Sequence, residues 1–479
     1  MVEKSWWNFL PEVEKPKEKL GFQEKLKWTG IILVLFFALS LVPLFGLSEN
    51  QLSRFEFLSV ILGASFGSIL SLGIGPIVTA SIVLQLLNGS GILKFETTTP
   101  DGRRRFQEVS RVLTLGFILF EAAIYVFMGG LSPSAIYQGT STYLTFQLLL
   151  IAQLCLGGIL VMFMDEVSTK WGIGSGISLF IAAGVSQSLV IRLLSPLPSP
   201  ANPDVATGAL PSFLQSLAAG DPQSAFLALA GILSTLIIFG IAVYAQSMKV
   251  EIPLSFGRVR GFGIRWPLSF VYTSNIPVIL VAALIANVQL WGQLLQNVAI
   301  KAGANGVIAF ISQHVIGQFS NGAATSGIAY YLSPVDLLNA LITKGFIDGV
   351  VPLIPRIIVY LIIFVGLCIL FSWFWVQTAG MDAKSQAKQI MASGLQVPGF
   401  RKDERVVEAL LNRYITPLTI MGAITVGLLA ALADISGALT SGTGLLLTVM
   451  IIYKFYEDIV RTHLSDMNPL MRKFMGGGT

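Results

Sequence analysis

The sequence predicts an all-α polytopic membrane protein with ten membrane-spanning helices. Two observations support this fold class. Of the 479 residues, 54% are hydrophobic and only 12% are charged, and the mean hydropathy is +0.74. This composition is typical of a protein embedded in lipid and not of a soluble core. In addition, apolar runs long enough to cross a bilayer recur along the chain, separated by shorter polar segments.

The predicted spans divide into two groups of five, one before residue 200 and one after it. The two groups therefore enter the membrane from opposite sides, and an inverted repeat is possible, although no internal sequence match is evident. The spans are 28–46, 57–88, 109–131, 142–164, 174–195, 223–247, 267–291, 354–378, 412–435 and 440–460.

The second apolar run, from Phe57 to Leu87, is broken near its middle. As one helix it would extend about 46 Å, well beyond a hydrocarbon core of about 30 Å. Gly73 and Gly75 allow the backbone to bend, and Pro76 cannot donate to the helical ladder. We therefore predict a small re-entrant segment, 57–71, followed by a half-span. Broken backbone survives at membrane depth only inside protein or beside a water-filled cavity, which indicates that something passes through this protein.

The basic residues predict the orientation of the chain. With the N-terminus in the cytoplasm, all but five of the 31 lysines and arginines fall on the cytoplasmic side or at span ends that face it. The positive-inside rule favours this arrangement, and ten spans then return the C-terminus to the cytoplasm. The five exceptions are Arg54, Arg192, Lys301, Lys344 and Arg356.

The domain organisation follows from the spans. We expect a cytoplasmic N-terminal segment at 1–27, a first half at 28–195, an external linker at 196–222, a second half at 223–460 and a cytoplasmic tail at 461–479. The second half includes an external segment at 292–352 and a cytoplasmic loop at 379–411, both longer than a plain helix connection requires. Within the external segment, 305–316 and 334–343 are expected to form short amphipathic surface helices.

The sequence offers no catalytic constellation, so we predict that the protein is not an enzyme and carries no cofactor or metal. Gly63-Ala64-Ser65-Phe66-Gly67 matches the nucleophile-elbow pattern, but that pattern requires a preceding strand and a following helix. Here it lies in an apolar span, where small residues simply permit close packing. The two histidines, His314 and His463, fall on opposite sides of the membrane. Cys155 and Cys368 both lie in spans and imply no disulfide framework.

Two polar features remain as candidates for function. Glu121 lies deep within the third span, where an isolated ionisable group costs about 3 kcal/mol or more. It is either a functional group or a structural hydrogen-bonding group between helices. The loops 248–266 and 379–411 carry several lysines and arginines. The positive-inside rule requires basic residues there, but the arginines also suit recognition of phosphate.

Several short segments, spread in order over almost the whole chain, carry a family resemblance. They are Pro11-Glu12-Val13, Gly73-Ile74-Gly75-Pro76-Ile77-Val78-Thr79-Ala80, Gln85-Leu86-Leu87, Asp165-Glu166, Gly172-Ile173-Gly174-Ser175-Gly176-Ile177, Val250-Glu251-Ile252-Pro253, Gly257-Arg258, Ser274-Asn275-Ile276-Pro277-Val278, Gly327-Ile328-Ala329-Tyr330-Tyr331 and Gly442-Thr443-Gly444. In these segments the chain resembles the SecY family, the channel subunits of the protein-conducting translocon, in its archaeal and eukaryotic branch. The loop 195–225, the segment 292–325 and the glycine-rich tail depart from the family pattern.

The resemblance implies two pseudo-symmetric, inverted five-helix halves around an hourglass pore that also opens sideways to lipid. The channel would translocate secretory polypeptides and release membrane segments laterally. The implied pore ring consists of Ile74, Val78, Ile177, Ile181, Ile279 and Leu447. Branched aliphatic side chains of this kind close around a passing chain, bind no ions and can gate by dewetting.

The resemblance implies three further sites. A re-entrant plug helix and its hinge comprise Phe57, Gly63, Gly67, Gly73, Gly75 and Pro76. A lateral gate is held closed by Thr79, Glu121 and Asn287 until a signal sequence enters. A cytoplasmic docking face for the ribosome comprises Arg258, Arg260, Arg265, Lys384, Lys388, Arg401, Lys402 and Arg405.

The implied partners are a SecE-type gamma subunit and a small beta subunit, which complete a heterotrimer, together with the ribosome and its RNA, signal peptides and nascent chains, membrane lipid and further copies of the complex. The implied location is the cytoplasmic (cell) membrane of an archaeon. A secondary transporter with a broken-helix binding site at the midplane is the main alternative, but it requires polar groups where this chain has Ile, Val and Leu. A scaffold or insertase without a pore is a second alternative, and it would not need a plug.

Overall fold

The structure of the protein is a computed structural model. It describes residues 12–18, 20–50, 62–89, 92–93, 95, 100–198, 205–256, 263–301, 310, 315–320, 323–392, 395–396 and 403–467. Every structural statement below concerns these residues.

Helices dominate the described chain, which confirms the predicted all-α class. A long helix overlaps each of the ten predicted spans, and the element numbers below follow the chain. The long helices are α1 (Phe22–Ser40), α2 (Gly75–Gly89), α3 (Pro100–Phe127), α4 (Ser141–Trp171), α5 (Gly176–Leu194), α7 (Pro222–Ser247), α8 (Ile276–Lys301), α11 (Ile354–Thr378), α13 (Glu404–Ile435) and α14 (Gly442–Met467). Seven helical stretches in the described residues are apolar and long enough to cross a membrane unaided, whereas α2 is shorter.

Shorter elements connect the long helices. The short helices are α6 (Ala209–Ala219), α9 (Gly327–Leu332), α10 (Leu337–Gly345) and α12 (Ala383–Ala392). The strands are β1 (Glu49–Asn50), β2 (Leu131–Ser132), β3 (Lys249–Phe256), β4 (Gly263–Ser269), β5 (Phe319–Ser320), β6 (Ala323–Ala324) and β7 (Leu395–Gln396). Helix α10 overlaps the surface helix predicted at 334–343, and the side chain of Asp336 caps its first turn. Most of the helix predicted at 305–316 lies outside the described residues.

The predicted break before α2 is present. Residues 62–74 form successive turns, and α2 begins only at Gly75. Gly73 has φ +55°, and a Cβ atom there would lie 2.9 Å from Cα of Ala64, so this position requires glycine. The first residues of the predicted plug, including Phe57, lie outside the described residues.

A β-hairpin that the sequence analysis did not predict lies between α7 and α8. Strand β3 pairs antiparallel with β4, from Lys249 opposite Ser269 to Ser255 opposite Gly263, and β7 adds a third strand along β3. The predicted start of the seventh span at residue 267 is therefore wrong. Because residues 263–269 pair with β3, α8 begins only at Ile276.

The hairpin defines one of two faces of the molecule. We call the face that carries β3, β4 and β7 the hairpin face, and the opposite one the far face. The chain alternates between them from one long helix to the next. Strands β1 and β2 pair on the far face, joining the end of α1 to the end of α3. One large hydrophobic cluster between the faces draws side chains from both halves, and a smaller cluster lies beneath the hairpin.

Candidate functional site

Helix α5 runs between two cavities that lie toward opposite faces. A cavity of about 390 Å³ toward the hairpin face is lined by Ile177 and Ser178. A cavity of about 780 Å³ toward the far face is lined by Gly184 and Ser188. Between them lies Ile181, which is 1% exposed and lines neither cavity. Because Gly184 follows Ser178 by six positions, the barrier along the helix is about 9 Å thick.

The predicted ring residues lie in or against one hydrophobic cluster, and three of them line one of the two cavities. Val78 and Ile279 line the cavity toward the hairpin face together with Ile177. All six predicted ring residues belong to, or pack against, the same hydrophobic cluster, and five of them are buried. The buried five are Ile74, Val78, Ile181, Ile279 and Leu447. The predicted ring residues thus come from α2, α5, α8 and α14, and from the turn before α2, and they share this cluster.

The described part of the predicted plug closes the barrier from the other side. Gly63, Ala64 and Leu70 line the cavity toward the far face. The position of Gly63 is close to the ring, since a Cβ atom there would lie 3.7 Å from Cγ2 of Ile74. Gly67 lies farther out, in the same run of turns, and its carbonyl accepts from the backbone N–H of Leu44 at 2.9 Å.

Hydrogen bonds tie the plug segment to the end of α1. The backbone N–H of Ile69 donates to the carbonyl of Val42 at 3.0 Å, and the Ser65 hydroxyl donates to the carbonyl of Ser40 at 3.2 Å. Both bonds run between short segments at the far face. The segment is therefore held by a few polar contacts at its rim and by apolar contacts at the ring.

The structure brings the three predicted gate residues together. Nδ2 of Asn287, on α8, donates to Oγ1 of Thr79, on α2, at 2.8 Å. The Thr79 hydroxyl in turn lies 3.0 Å from Oε1 of Glu121, on α3. All three side chains are buried. One hydrogen bond thus connects α2 of the first half to α8 of the second half, and a second connects α2 to α3 within the first half.

The gate cluster has unused hydrogen-bonding capacity. Oε2 of Glu121 and Oδ1 of Asn287 have no hydrogen-bond partner among the described residues. Oε2 of Glu121 fits against Gly75, where a Cβ atom would lie 3.1 Å away, so the glycine before Pro76 leaves room for the carboxyl group. The cluster is therefore a small polar island in apolar surroundings, with acceptors still free to bind another group.

The seam beside the gate cluster widens toward the hairpin face. A cavity of about 620 Å³ lies there between α2 and α3 on one side and α11 and α12 on the other. Its lining includes the polar residues Gln85, Thr378 and Lys388. Nearer the far face, the rings of Phe120 and Trp291 meet edge to face at 6.2 Å, so apolar contacts close the seam there.

Only some of the predicted docking residues lie in the described part of the chain. Lys384 and Lys388 lie exposed on α12, and Arg405 lies exposed in the first turn of α13. The backbone of Arg265 lies in β4. The remaining four residues, Arg258, Arg260, Arg401 and Lys402, lie outside the described residues.

The two predicted docking loops form one folded layer. Strand β7, from the second loop, pairs with β3, from the first, and Ile252 packs with Ala387, Ile390 and Leu411 in the cluster beneath the hairpin. The Tyr272 hydroxyl also donates to the carbonyl of Met381 at 2.7 Å. The loops therefore present a shared surface on the hairpin face.

A polar network on the same face was not predicted. Nζ of Lys170 lies 2.7 Å from Oε1 of Glu12, and the backbone N–H of Val13 donates to Oε2 of Glu166 at 3.1 Å. Glu166 also pairs with Arg111 of α3. The hydrogen bond from Lys170 holds the pKa of Glu12 below its usual value. Glu12 and Val13 are thereby tied to the last turns of α4, which pair with Arg111 of α3.

Comparisons with known proteins identify relatives over nearly the full chain. A family model described as SecY matches residues 68–456. The protein translocase subunit SecY of Methanothermobacter thermautotrophicus is 44% identical, over 98% of this chain and 97% of that protein. One solved structure aligns with a TM-score of 0.80 at 40% identity, over 98% of each chain. It is described as showing that the plug domain of the SecY protein stabilises the closed state of the translocation channel and maintains a membrane seal. Sec61 in the canine ribosome-channel complex from the endoplasmic reticulum aligns with a TM-score of 0.76 at 40% identity, also over 98% of each chain.

Proposed function

This chain belongs to the SecY family of protein-conducting channels, and from that premise we propose that its translocation path follows α5 from one cavity to the other. The observation that carries this proposal is the position of Ile181 between the two cavities. Ile177, Ile181, Gly184, Ser188 and Ile191 repeat at helical spacing and share one face of α5. A polypeptide entering one cavity therefore needs to displace only the short barrier to reach the other.

The ring seals the channel because it offers nothing that replaces water around an ion. The six side chains are aliphatic, and a narrow apolar constriction gates by dewetting. A secondary transporter would instead need polar groups that converge on its substrate at this depth. The plug segment adds a second layer to the seal, since its glycine- and serine-rich turns fill the far side of the ring.

The gate cluster is the latch of the lateral opening. The hydrogen bond from Asn287 to Thr79 crosses the seam between the halves, and it must break if α2 and α3 separate from α8, whereas the bond from Thr79 to Glu121 joins α2 to α3 within the first half. An interhelical hydrogen bond in a membrane contributes about 0.6 to 2 kcal/mol, which is small enough for an apolar signal sequence to overcome. The free acceptors of Glu121 and Asn287 would remain buried in the closed state, and this keeps the latch weak.

The hairpin face is the cytoplasmic face, and the layer formed by β3, β4, β7 and α12 docks the ribosome. Positive charge supports both statements. Lys384, Lys388 and Arg405 are exposed there, and Arg258, Arg260, Arg401 and Lys402 belong to the same loops. Lysine and arginine bind RNA through its phosphates. Sec61, which is 40% identical to this chain, is in a ribosome-channel complex. Both termini then lie in the cytoplasm of an archaeal cell.

The chain works with small membrane partners. We assign it a SecE-type gamma subunit and a small beta subunit, in a heterotrimer that also meets further copies of itself, membrane lipid, signal peptides and nascent chains. Large apolar side chains on the outer surfaces of the helices, such as Ile237 on α7 and Ile362 on α11, are exposed and suit contact with lipid or with such subunits.

Cysteine accessibility along α5 tests the proposed path. Cys155 and Cys368 are first replaced by alanine, and single cysteines are then introduced at Ser178, Ile181 or Ser188. A membrane-impermeant thiol reagent should label position 178 only from the cytoplasmic side, position 188 only from the outside and position 181 from neither. Val190, an exposed residue on another face of α5, serves as the control and should stay unlabelled in lipid. Labelling of positions 178 and 188 from the same side would exclude this path.

A further inference from the structure

Two aspartates, one near each face, hold the starts of two pore helices in the same way. Asp165, near the end of α4, accepts from the backbone N–H of Ile177 at 3.0 Å. Asp434, near the end of α13, accepts from the backbone N–H of Thr443 at 2.7 Å. Helices α5 and α14 begin at Gly176 and Gly442, so each carboxylate binds the N–H group of the second residue of the following helix.

Each capped residue stands one helical turn before a residue of the proposed ring. Ile181 follows Ile177 by four positions, and Leu447 follows Thr443 by four positions. Residues four apart lie on the same face of a helix, one above the other, about 6 Å apart along the axis. A shift of either capped turn is therefore transmitted directly to ring side chains, which are Ile177 itself and Ile181 in the first half and Leu447 in the second.

Further hydrogen bonds fix each carboxylate itself. Asp165 also lies 3.3 Å from the Ser175 hydroxyl, which donates to it. Asp434 accepts from the Tyr360 hydroxyl of α11 at 2.8 Å and from the hydroxyl of Thr443. Neither carboxylate takes part in an ion pair among the described residues. Their charge instead faces the positive end of a helix dipole, which anions stabilise.

Glycine allows both helix starts to approach the preceding helix closely. A Cβ atom on Gly176 would lie 2.6 Å from Cα of Asp165 and 3.0 Å from its Oδ1. A Cβ atom on Gly442 would overlap the backbone of Ala433 and Asp434. In both places the helix start is fixed sterically and by hydrogen bonds to a helix that contributes no ring residue.

We propose that Asp165 and Asp434 are positioning residues for the pore seal, each setting the depth of one ring side chain from one face of the membrane. This inference rests on the proposed ring. The two aspartates are equivalent by position in the two inverted halves, since α5 and α14 are the fifth long helix of each half. They hold Ile181 and Leu447 at matching distances from two helix starts that point toward the ring from opposite faces.

The test compares resting ion conductance of the purified heterotrimer in planar bilayers with its thermal stability. Asp165→Ala and Asp434→Ala should each raise resting conductance about fivefold, the factor by which a lost N-cap typically weakens a first turn. Asp165→Asn and Asp434→Asn keep an acceptor oxygen, so the resting conductance of these variants should equal that of the parent.

Asp221→Ala is the matched control. Asp221 caps α7 by accepting from the backbone N–H groups of Gln223 and Ser224 at 3.2 and 3.4 Å, but α7 carries no ring residue. This variant should show parental conductance even if it loses stability. Where an alanine variant yields no folded channel, Asp434→Glu replaces it. Glutamate retains the charge but adds a methylene group, so it should displace the first turn of α14 and increase the leak.

The outcomes distinguish a failure of the positioning role from a failure of the proposed ring. A leak in Ile181→Gly with parental conductance in the aspartate variants would overturn the positioning role and leave the ring intact. Parental conductance in Ile181→Gly and Leu447→Gly would refute the proposed ring, and the positioning role with it. A leak in Asp221→Ala equal to that of the other alanine variants would show that lost stability, and not ring position, causes the leak.

Discussion

Replacement of Asn287 by leucine should make the lateral gate easier to open. The change removes the 2.8 Å hydrogen bond to Thr79, the link between α8 and the first half in the gate cluster. Thr79 keeps its contacts with Glu121 and with the carbonyl of Gly75, so no donor is left unpaired. A typical interhelical bond of about 1 kcal/mol then corresponds to an approximately fivefold shift toward the open state, provided that the bond exists only in the closed state.

This shift can be measured with signal sequences of graded hydrophobicity. Each leucine contributes about 0.5 kcal/mol to membrane insertion, so 1 kcal/mol equals about two leucines. In a reconstituted translocation assay, the Asn287→Leu channel should reach half-maximal translocation with signals about two leucines less hydrophobic than the parent requires.

Gln289→Leu is the matched control for this prediction. Gln289 is also a buried amide on α8, but its Nε2 donates to Ser333 at 3.2 Å and to the carbonyl of Leu332 at 3.4 Å, both in the second half. Loss of this side chain should not change the equilibrium between the closed and open states of the lateral gate. An unchanged hydrophobicity threshold for signal sequences in Asn287→Leu, or an equal shift of that threshold in both variants, would refute the proposal that the gate cluster holds the lateral opening closed.

Two further predictions concern the docking layer and the plug. Lys384→Glu combined with Arg405→Glu should weaken ribosome binding and flatten its salt dependence by about one slope unit per lost phosphate contact. Arg356→Glu, on the opposite face, should leave both the ribosome affinity and its salt dependence unchanged. Gly73→Val should loosen the plug and raise the resting conductance, because a φ of +55° strains a branched residue. The control is Gly240→Val in α7, where no atom of a neighbouring element lies within 4 Å of the Cβ position, and its resting conductance should equal that of the parent.

Hydropathy and backbone chemistry account for what could be predicted from the sequence. Apolar length alone located a helix in each of the ten spans, because lipid requires long, internally hydrogen-bonded segments. The break near Gly73 was predictable because glycine and proline act locally. The ring and gate residues came from the family resemblance. The structure joins the three gate residues by hydrogen bonds, and it places the six predicted ring residues in or against one large hydrophobic cluster.

The hairpin could not be predicted in this way because its pairing is partly long-range. Strand β7 joins β3 across about 140 residues of sequence, and neither strand has a spanning pattern. This omission also misplaced Asn287. In a span that begins at residue 267, Asn287 lies about 30 Å from the start, whereas in α8, which begins at Ile276, it lies only about 16 Å along the helix, level with Thr79.

The paired aspartates illustrate a second limit of sequence reasoning. Asp165 stands 12 residues before the N–H group that it binds, and Asp434 stands nine residues before its own. Because Asp165 stands six residues before the end of α4, whereas Asp434 stands one residue before the end of α13, an internal comparison finds no common spacing. Only the fold shows that both carboxylates reach the second residue of the fifth helix of their half.

The resting conductance of a ring variant tests the central claim most directly. Ile74→Gly combined with Ile181→Gly removes two buried aliphatic side chains from the barrier between the cavities, and Val190→Gly removes an exposed one from α5. If the ring seals by dewetting, the double variant should conduct ions at rest in planar bilayers while Val190→Gly remains as tight as the parent. A double variant that folds, translocates and shows no resting conductance would contradict the proposed seal.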